Sequence, residues 1–313
     1  MLSHMRARCT ICPVNCVGIG FCGGIEIRNN SVGRYYSGLK ITKRTIEYFG
    51  LYHFYPASEI AFIVTSGCNL SCVFCPEYLT IYNPQGYMTI DEVYAKVLSF
   101  MEDLNLNIAG FYCNSILDID LIRRLKHSGK KVVAISHGFF VARHVDTFLA
   151  LLDAILIRFL GFSEDTYSKV TAIPVGYKYA LRLLRRAYEH KLHAEIEFYV
   201  IPGITSLEEF TDFLDTVNTI NRDIPLHIKR FYPRFLEDRR TPTRTEELMK
   251  FYQLAKERLN YVYADLWYPK TNNTYCPEGH LVIERFGWKT RRILLRGNRC
   301  PTCGREIPVV VHF

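Results

Sequence analysis

The chain has 313 residues, of which 49% are hydrophobic and 22% are charged, and its formal net charge is +8. This composition supports a sizeable core and argues against a membrane protein, because no apolar run reaches the roughly 20 residues that a spanning helix needs. The N-terminus has no apolar stretch typical of a signal peptide, so we expect a cytoplasmic protein. The positive charge indicates nucleic-acid binding only weakly, since metal-ligating cysteines are thiolates and would lower it to about +4.

The eleven cysteines fall into three groups and one isolated residue. A long chain without an export signal is a poor candidate for a disulfide framework. The grouping therefore favours metal or cluster ligation. The groups are Cys9, Cys12, Cys16 and Cys22; then Cys68, Cys72 and Cys75; then Cys276, Cys300 and Cys303, with Cys113 isolated.

Residues 1–58 are predicted to form a Cys-rich metal-binding segment and a tyrosine-rich connector. The four cysteines of this segment, the N-terminal thiol group, are close enough in sequence to enclose one metal site, and glycines lie between them. Thiolate ligation alone does not distinguish a second cubane cluster, a zinc ion or a mononuclear iron. The alternative is one site that N- and C-terminal cysteines complete together.

Residues 59–268 alternate apolar strands with amphipathic helices. Thr89, Ser206 and Thr243 each precede a glutamate by three residues, which is the capping-box pattern of a helix start. Continuous apolar strands predict a parallel sheet buried on both faces, curled into a partial (β/α)6 barrel, with an open α/β sandwich as the alternative. The predicted strands are 60–66, 107–113, 131–136, 154–160, 194–201 and 225–231.

Three cysteines at C-x3-C-x2-C spacing follow the first of these strands, within residues 67–76, the cluster loop. A cubane iron–sulfur cluster has four irons and normally takes four thiolates, so Cys68, Cys72 and Cys75 would leave one iron open to a reactant. A zinc site would use paired C-x2-C knuckles instead. The spacing predicts a 4Fe-4S cluster at the carboxyl end of the strand, where active sites of such folds lie.

Residues 269–313 break the alternation and predict a small zinc-ribbon-like or rubredoxin-like domain. Cys276 lacks the second cysteine of a knuckle, because Gly279 stands in its place. His280 is adjacent and completes a Cys3His set with Cys300 and Cys303, here the C-terminal ligand group. Zinc would be structural there, whereas iron would relay electrons.

The cluster loop, with Phe74 before its third cysteine, resembles the radical S-adenosylmethionine (SAM) superfamily. The chain is most similar to the radical SAM component of the AmmeMemoRadiSam system, which resembles the pyruvate formate-lyase activating enzyme. The resemblance implies a 4Fe-4S cluster whose open iron is chelated by SAM, and a 5′-deoxyadenosyl radical that abstracts hydrogen. It implies an α/β fold: a partial (β/α)6 barrel of radical SAM type with an N-terminal Cys-rich segment and a C-terminal metal-ribbon-like extension. Similar segments lie at 51–54, 195–205, 224–233, 262–277 and 300–308.

The resemblance also places SAM contacts at the ends of the second, third and fourth strands. The Glu-Pro motif of relatives is absent at 111–115, and their Asp-Leu-Lys-Gly motif is replaced at 158–161. Substrate choice is therefore expected to differ from that of relatives. Candidate cofactor contacts are Phe74, Asn114, Ser136, His137 and Arg158, and candidate substrate contacts are His227 and Arg230.

Several of these residues have a structural alternative. Arg158 would either pair with the SAM carboxylate or extend to solvent. His137 would otherwise be a loop histidine without a ligand, and His227 a hydrogen-bonded core histidine. His227 and Arg230 are an odd number of residues apart on one strand, so only one is expected to face the barrel interior. Cys113 is expected to be a small buried apolar side chain.

The leading hypothesis is a radical SAM enzyme acting on a protein or a small molecule, with a ferredoxin-like or flavodoxin-like electron donor. Family analogy adds Memo-like and AMMECR1-like proteins as functional partners. One alternative is RNA modification, which the basic residues between 289 and 299 suggest. The other is a metal-binding scaffold that has lost SAM chemistry.

Overall fold

The computed structural model describes residues 7–17, 20–28, 31–83, 86–113, 115–237, 239–266 and 269–311. Its strands are β1 (Ile25–Arg28), β2 (Ser31–Arg34), β3 (Leu39–Thr45), β4 (Glu59–Thr65), β5 (Ile108–Phe111), β6 (Lys131–Ser136), β7 (Ala154–Phe159), β8 (His193–Val200), β9 (Leu226–Arg230), β10 (Val262–Ala264), β11 (Thr274–Tyr275), β12 (Leu281–Phe286) and β13 (Lys289–Ile293). Its helices are α1 (Ile46–Phe49), α2 (Tyr78–Tyr82), α3 (Ile90–Asp103), α4 (Ile119–His127), α5 (Val145–Leu149), α6 (Glu164–Val170), α7 (Gly176–Glu189), α8 (Leu207–Ile220), α9 (Thr245–Lys256) and α10 (Pro269–Asn272). None of the helices in the described ranges is long and apolar enough to cross a membrane.

An eight-stranded sheet has the order β10-β9-β8-β7-β6-β5-β4-β3. The seven strands from β4 to β10 are parallel to one another. Helices connect most of these strands, so the chain alternates strand and helix as the sequence indicates. The α/β fold class with a buried parallel sheet, typical of a partial barrel, is confirmed.

Apolar side chains cover both faces of the sheet, as continuous apolar strands require. Ile63 of β4 belongs to an apolar cluster that contains Val97 of α3, so this face packs against the helices. Its neighbour Phe62 belongs to a second cluster, together with Cys68 and Cys75 of the cluster loop. Because successive strand residues point to opposite faces, the cluster loop lies on the face away from α3, here called the inner face.

Two strands extend the six that the sequence predicts. β10 adds a seventh parallel strand next to β9. β3, from the connector, pairs antiparallel with β4 and forms the opposite edge of the sheet. Lys40, Lys43 and Arg44 give β3 the charged character of an edge strand. The connector is therefore part of the sheet, which its composition did not indicate.

The three predicted capping boxes have different outcomes. Thr89 and Glu92 form the complete box at the start of α3. Ser206 caps α8 by accepting a hydrogen bond from Glu209 N. The Glu209 carboxylate instead accepts hydrogen bonds from one residue just before α6 and from one residue within α6. The prediction at Thr243 is wrong. Its hydroxyl bridges backbone groups at the carboxyl ends of β8 and β9, and α9 begins after the next residue.

The strands β11, β12 and β13 form a separate antiparallel sheet, here called the C-terminal ribbon. The buried Arg285 joins it to the connector. The Arg285 guanidinium donates to Tyr52 O (2.8 Å), Thr274 Oγ1 (2.8 Å) and Asn272 O (3.0 Å). Its central carbon also lies 4.5 Å from the centre of the Tyr52 ring.

Glu195 of β8 holds the same part of the connector from the barrel side. Its carboxylate accepts hydrogen bonds from Tyr52 N (3.0 Å) and His53 N (2.8 Å). It also lies 3.1 Å from His193 Nε2 and 2.7 Å from His227 Nε2. Burial opposes ionisation, but the hydrogen bonds from the two histidines hold the pKa of Glu195 well below its usual range. The carboxylate therefore organises the junction as a charged group.

His53 gives this junction a pH dependence. Burial lowers the pKa of His53 from 6.5 to about 3. Between those values the unfolded chain binds a proton that the folded chain does not, so stability falls as the pH is lowered, by up to about 1.4 kcal/mol per pH unit. We expect the urea-derived free energy of unfolding to decrease between pH 6.5 and 5, and His53→Asn to reduce that slope. His127→Asn, at an exposed position, should leave the slope unchanged. An undiminished slope in His53→Asn would contradict the prediction.

Candidate active site and metal-ligand groups

The cluster loop begins directly after β4 and lies at the carboxyl end of that strand. Gly67 has a φ of +90°, a conformation that favours glycine. Two hydrogen bonds fix the loop to the end of α6: Val73 N donates to Val170 O (3.0 Å), and Ala172 N donates to Leu70 O (3.2 Å). The three loop thiols are therefore held on the inner face at the mouth of the parallel sheet.

The surroundings of these thiols fit a cationic cluster. Burial, and then the neighbouring thiols including Cys113, raise the pKa of Cys68 to about 12 and also raise the pKa of Cys72 and of Cys75. Thiolates at these positions therefore require positive charge, which bound iron provides. The buried Oδ1 atom of Asn69, inside the loop, has no hydrogen-bond partner. An orphaned acceptor of this kind is consistent with a site completed by a bound group.

The spacing of the thiols distinguishes a cluster from a single ion. Thiolates bound to one zinc at about 2.3 Å can lie no more than about 4.6 Å apart. Among the described residues, the C-terminal ligand group is the one set of three or more potential ligands within 4.8 Å of one another. The loop thiols are more widely spaced, which fits the larger 4Fe-4S cluster.

Ser136 and His137 lie at the end of β6, beside the cluster loop, and both are buried. The Nε2 atom of His137 is 3.8 Å from Cys68 Sγ, and its Nδ1 accepts a hydrogen bond from Phe139 N (3.3 Å). Burial, with Arg158 nearby, lowers the pKa of His137 to about 3, so its imidazole is neutral. Ser136 Oγ accepts from Gly138 N (3.2 Å). His137 therefore adjoins the first cluster cysteine, and Ser136 directly precedes His137 in the chain.

Arg158 lies on β7 and is buried, so the solvent-facing alternative is wrong. Its Nε donates to the carboxylate of Glu197 on β8. Its Nη1 donates to Tyr112 Oη (2.9 Å) and to Cys113 Sγ (3.0 Å). Burial opposes the charge, but the thiol and the carboxylate raise the pKa of Arg158 well above its usual range. Cys113 is thus a hydrogen-bond acceptor of a buried cation, which its isolated position in the sequence did not indicate.

A cavity of about 250 Å³ opens beside these groups. Its wall includes Phe74 and Pro76 of the cluster loop, together with Arg158. Phe74 packs edge-on against Phe231, with ring centres 5.1 Å apart. The predicted cofactor contact at Phe74 therefore lies between the thiols and the cavity.

The two predicted substrate contacts on β9 both line this cavity. Their side chains have different partners, and their expected division between opposite faces of the strand stays a prediction. Arg230 donates to Thr243 O (2.5 Å) and Thr245 Oγ1 (3.1 Å). His227 contacts Glu195 and stacks on the Tyr263 ring at 5.1 Å. His227 is thus a hydrogen-bonded core histidine as well as a wall residue.

The N-terminal thiol group lies on the other side of the cluster loop. Its chain folds back through a hydrogen bond from Cys9 N to Cys16 O (2.9 Å). Cys9, Cys12 and Cys22 are buried, and Cys16 is partly exposed. Burial raises the pKa of the Cys9 and Cys22 thiols. The alternative of one site shared with the C-terminal cysteines is not supported, because those cysteines form a compact set with His280.

Arg34 attaches this N-terminal segment to the end of β4. Its guanidinium donates to Gly24 O (2.8 Å), Thr65 Oγ1 (3.0 Å) and Ser66 O (2.6 Å). Its Nε pairs with Asp118 at 3.1 Å, and the two side chains are only 8% and 3% exposed. Asp118 in turn accepts a hydrogen bond from Thr65 Oγ1 (2.6 Å). One buried ion pair therefore joins the N-terminal segment, β4 and the start of α4.

The C-terminal ligand group converges as its sequence predicts. The Sγ atom of Cys276 is 3.3 Å from His280 Nδ1 and 3.9 Å from Cys303 Sγ, and Cys300 Sγ is 3.8 Å from His280 Nδ1. Gly279 has a φ of +84°, so the position of the missing cysteine is a turn that favours glycine. Burial opposes ionisation of Cys300, but backbone N–H groups and neighbouring thiols lower its pKa to about 6. The set suits one tetrahedral ion.

Residues 62–217 match the model of the radical SAM superfamily. The parallel sheet and the cluster loop agree with this match, and the chain belongs to the radical SAM superfamily. Membership of this superfamily supports an enzyme with radical SAM catalysis, and it implies a 4Fe-4S cluster and SAM as cofactors.

Relatives extend over much of the chain. An uncharacterized protein of Methanocaldococcus jannaschii is 28% identical over 344 residues, covering 99% of this chain and 97% of that protein. A domain of a pyruvate-formate lyase-activating enzyme from Bacteroides vulgatus is 14% identical, with a TM-score of 0.39, and covers 47% of this chain and 88% of that one. TYW1 with a lysine-pyruvate adduct bound is 17% identical, with a TM-score of 0.45, and covers 64% of this chain and 74% of that one.

Several residues around the site were missed by the sequence reasoning. Glu195 and Glu197 had a detectable signal, because two acidic residues alternating within an apolar strand indicate buried partners. Arg34 had none, since it ends a polar strand and its ionic partner lies 84 residues away. The candidate Asn114 lies outside the described residues.

The Arg34–Asp118 pair should be a major source of stability. Arg34→Ala is expected to lower the free energy of unfolding by about 3–5 kcal/mol, because it leaves a buried carboxylate without its partner. Arg123→Ala is the control, since its pair with Asp120 is 42% and 63% exposed and should contribute about 0–1 kcal/mol. Urea denaturation measures both. Equal losses in the two variants would show that the buried pair has no special role.

The C-terminal ligand group should bind one metal through its histidine. We expect His280→Ala to lower the bound metal by about one equivalent, and His280→Cys to retain it as a four-thiolate site. Elemental analysis of purified protein measures iron and zinc directly. Lys289→Ala, in the same ribbon but outside the group, should keep the full metal content. Full retention in His280→Ala would remove His280 from the ligand set.

Proposed function

We propose that the protein is a radical SAM enzyme that holds a 4Fe-4S cluster on Cys68, Cys72 and Cys75 and binds SAM at the open iron. The observation that carries this proposal is the placement of three loop thiols after the carboxyl end of β4. Cys68 Sγ lies 3.8 Å from the neutral His137, and Phe74 of the same loop lines the cavity. When bound, these cofactors would supply a 5′-deoxyadenosyl radical that abstracts hydrogen from the substrate.

The chain's own residues would hold and shield these groups. Arg158 is kept charged and is fixed by Glu197, so it is placed to orient a carboxylate at the cavity. His137 and Ser136 are suited to hydrogen bonds with the SAM ribose, and the neutral imidazole adds no charge beside the thiols. Phe74 and Tyr199 pack at 5.7 Å between ring centres and would keep water from a reactive radical.

The substrate would enter the same cavity, whose wall carries charges of both signs. Lys229 and Arg230 lie at the end of β9, and Asp265 follows β10. Either a polypeptide segment or a small polar molecule is compatible with this wall. Because the resemblance is to the AmmeMemoRadiSam system, we assign the enzyme to that activating-enzyme-like group. His227 would contact the substrate through its accessible edge.

The partners follow from the chemistry and from the same resemblance. A ferredoxin-like or flavodoxin-like protein would donate electrons, and Memo-like and AMMECR1-like proteins would act in the same system. All eleven cysteines are free thiols, which suits the reducing cytoplasm. We assign zinc to the compact C-terminal ligand group, where it would hold the ribbon together.

RNA modification receives no support from the C-terminal ribbon. Arg292 pairs with Glu284 at 2.6 Å, and Arg299 pairs with Glu306 at 3.4 Å. These contacts neutralise part of the basic cluster that suggested a nucleic-acid surface.

The decisive experiment is anaerobic reconstitution with iron and sulfide, followed by reduction in the presence of SAM. Cys68→Ala/Cys72→Ala/Cys75→Ala should bind about four fewer iron atoms than the wild type, because a cubane cluster is lost. This triple variant should also release no 5′-deoxyadenosine. Cys113→Ala, a nearby thiol outside the ligand set, should retain its iron.

Unchanged iron content in the triple variant would contradict the assignment of a cluster to Cys68, Cys72 and Cys75. A wild-type protein that binds the cluster but never cleaves SAM would instead indicate a metal-binding scaffold. Chromatography of the reaction products for 5′-deoxyadenosine separates these outcomes.

A further inference from the structure

The N-terminal thiol group packs directly on the cluster loop. Cys68 N donates to Cys22 O at 2.8 Å, so the first cluster cysteine and the last N-terminal cysteine share a backbone hydrogen bond. Gly67 and Gly24 meet so closely that a Cβ on Gly67 would lie 2.7 Å from Gly24 Cα. Cys12 belongs to the same apolar cluster as Cys68. The two cysteine groups are therefore in direct contact through their backbones.

The N-terminal thiols also have the hydrogen bonds of an iron–sulfur site. Phe21 N donates to Cys16 Sγ (3.3 Å), and Gly24 N donates to Cys22 Sγ (3.4 Å). Hydrogen bonds to sulfur are among the contacts that set the reduction potential of such clusters. Burial raises the pKa of the Cys22 thiol, and the hydrogen bond from Gly24 N and the charge of Arg34 oppose that rise. These contacts stabilise negative charge on the ligands.

The spacing of the four thiols argues against one tetrahedral ion. All four lie in the described ranges, yet they do not form a set within 4.8 Å, as the C-terminal ligand group does. Thiolates on a single zinc can be no more than about 4.6 Å apart. The N-terminal thiols therefore lack the compact spacing that one ion requires, and four thiolates are the usual ligands of a cubane cluster with several irons.

We propose that the N-terminal thiol group holds a second iron–sulfur cluster through which electrons reach the cluster loop. This inference rests on the proposed function, because it requires a redox-active cluster on Cys68, Cys72 and Cys75. A low-potential carrier protein loses one electron to the N-terminal cluster, which passes it on and returns to its oxidised state. The loop cluster gains that one electron, and the Cys22–Cys68 hydrogen bond provides a short path between the two centres.

The outer side of the N-terminal group is accessible to a carrier protein. Val14, Val17 and Phe21 are exposed around it, and Cys16 is partly exposed. The loop thiols, in contrast, lie on the inner face, where Phe74 and Pro76 of their loop line the cavity. Electrons therefore enter from one side while the substrate occupies the other.

The test uses the full-length protein, reconstituted anaerobically, with Cys9→Ser/Cys16→Ser as the variant. Thr10→Ala is the matched control, because it changes the same segment and keeps all four thiols. Iron, sulfide and zinc contents are measured first, with circular dichroism to verify folding. Stopped-flow absorbance then follows reduction of the loop cluster by reduced flavodoxin and, separately, by dithionite.

We expect the variant to lose the iron of the N-terminal group and to keep that of the loop. Its reduction by flavodoxin should be slower by about tenfold or more, with the dithionite rate unchanged because that small reductant reaches the loop directly. Thr10→Ala should behave like the wild type. Should Cys9→Ser/Cys16→Ser fail to fold, Cys16→Ser alone, at the most exposed of the four positions, is measured in the same way.

Two results would overturn the inference: zinc instead of iron in the N-terminal group of the wild type, or an unchanged flavodoxin rate after its iron is lost. Failure of the proposed function is distinguishable from both, since the triple variant of the loop would then retain all of its iron.

Discussion

The buried guanidinium of Arg34 is the contact on which the arrangement of the cysteine groups depends. It neutralises Asp118 and satisfies carbonyl groups of Gly24 and Ser66, which belong to segments far apart in sequence. A cation at this depth is stable only because every acceptor around it is a carboxylate, a hydroxyl or a carbonyl oxygen. These acceptors in turn require the cation, since they would lack a hydrogen-bond donor without it. The N-terminal segment is thereby placed against the first residues of the cluster loop.

The features that were predictable from sequence are those with a local cause. Continuous apolar runs identify the parallel strands, and C-x3-C-x2-C spacing identifies the loop, because each pattern fits within a few residues. Thr243 shows where local reasoning fails: its hydroxyl had a capping-box pattern, but two strand ends offered better hydrogen bonds. The solvent-facing alternative for Arg158 was wrong for the same reason, since its partner Glu197 belongs to the next strand. Which polar groups meet inside the fold depends on strand order, and no single segment encodes that order.

The connector at Tyr52 shows how the C-terminal ribbon is attached without a large apolar interface. The N–H of Tyr52 faces the Glu195 carboxylate, and its C=O faces the Arg285 guanidinium. The dipoles of this residue's two backbone groups are thus aligned between a buried anion and a buried cation, which favours both charges. The barrel supplies the anion, Glu195, and the ribbon supplies the cation, Arg285. Each buried charge is therefore compensated by a group from the other part of the protein.

The composition of the cavity wall has a consequence for how substrate preference can vary among relatives. Of the residues that line the cavity in the described part of the chain, nine lie within residues 62–217 and sixteen lie outside that range. The segment shared with the superfamily therefore contributes the cluster loop and Arg158, whereas the connector, β9, β10 and the ribbon shape most of the chamber. Trp288 reaches this wall from the turn between β12 and β13. Two proteins with identical radical machinery could thus accept different molecules after changes in the connector or the ribbon alone, with the cluster loop untouched.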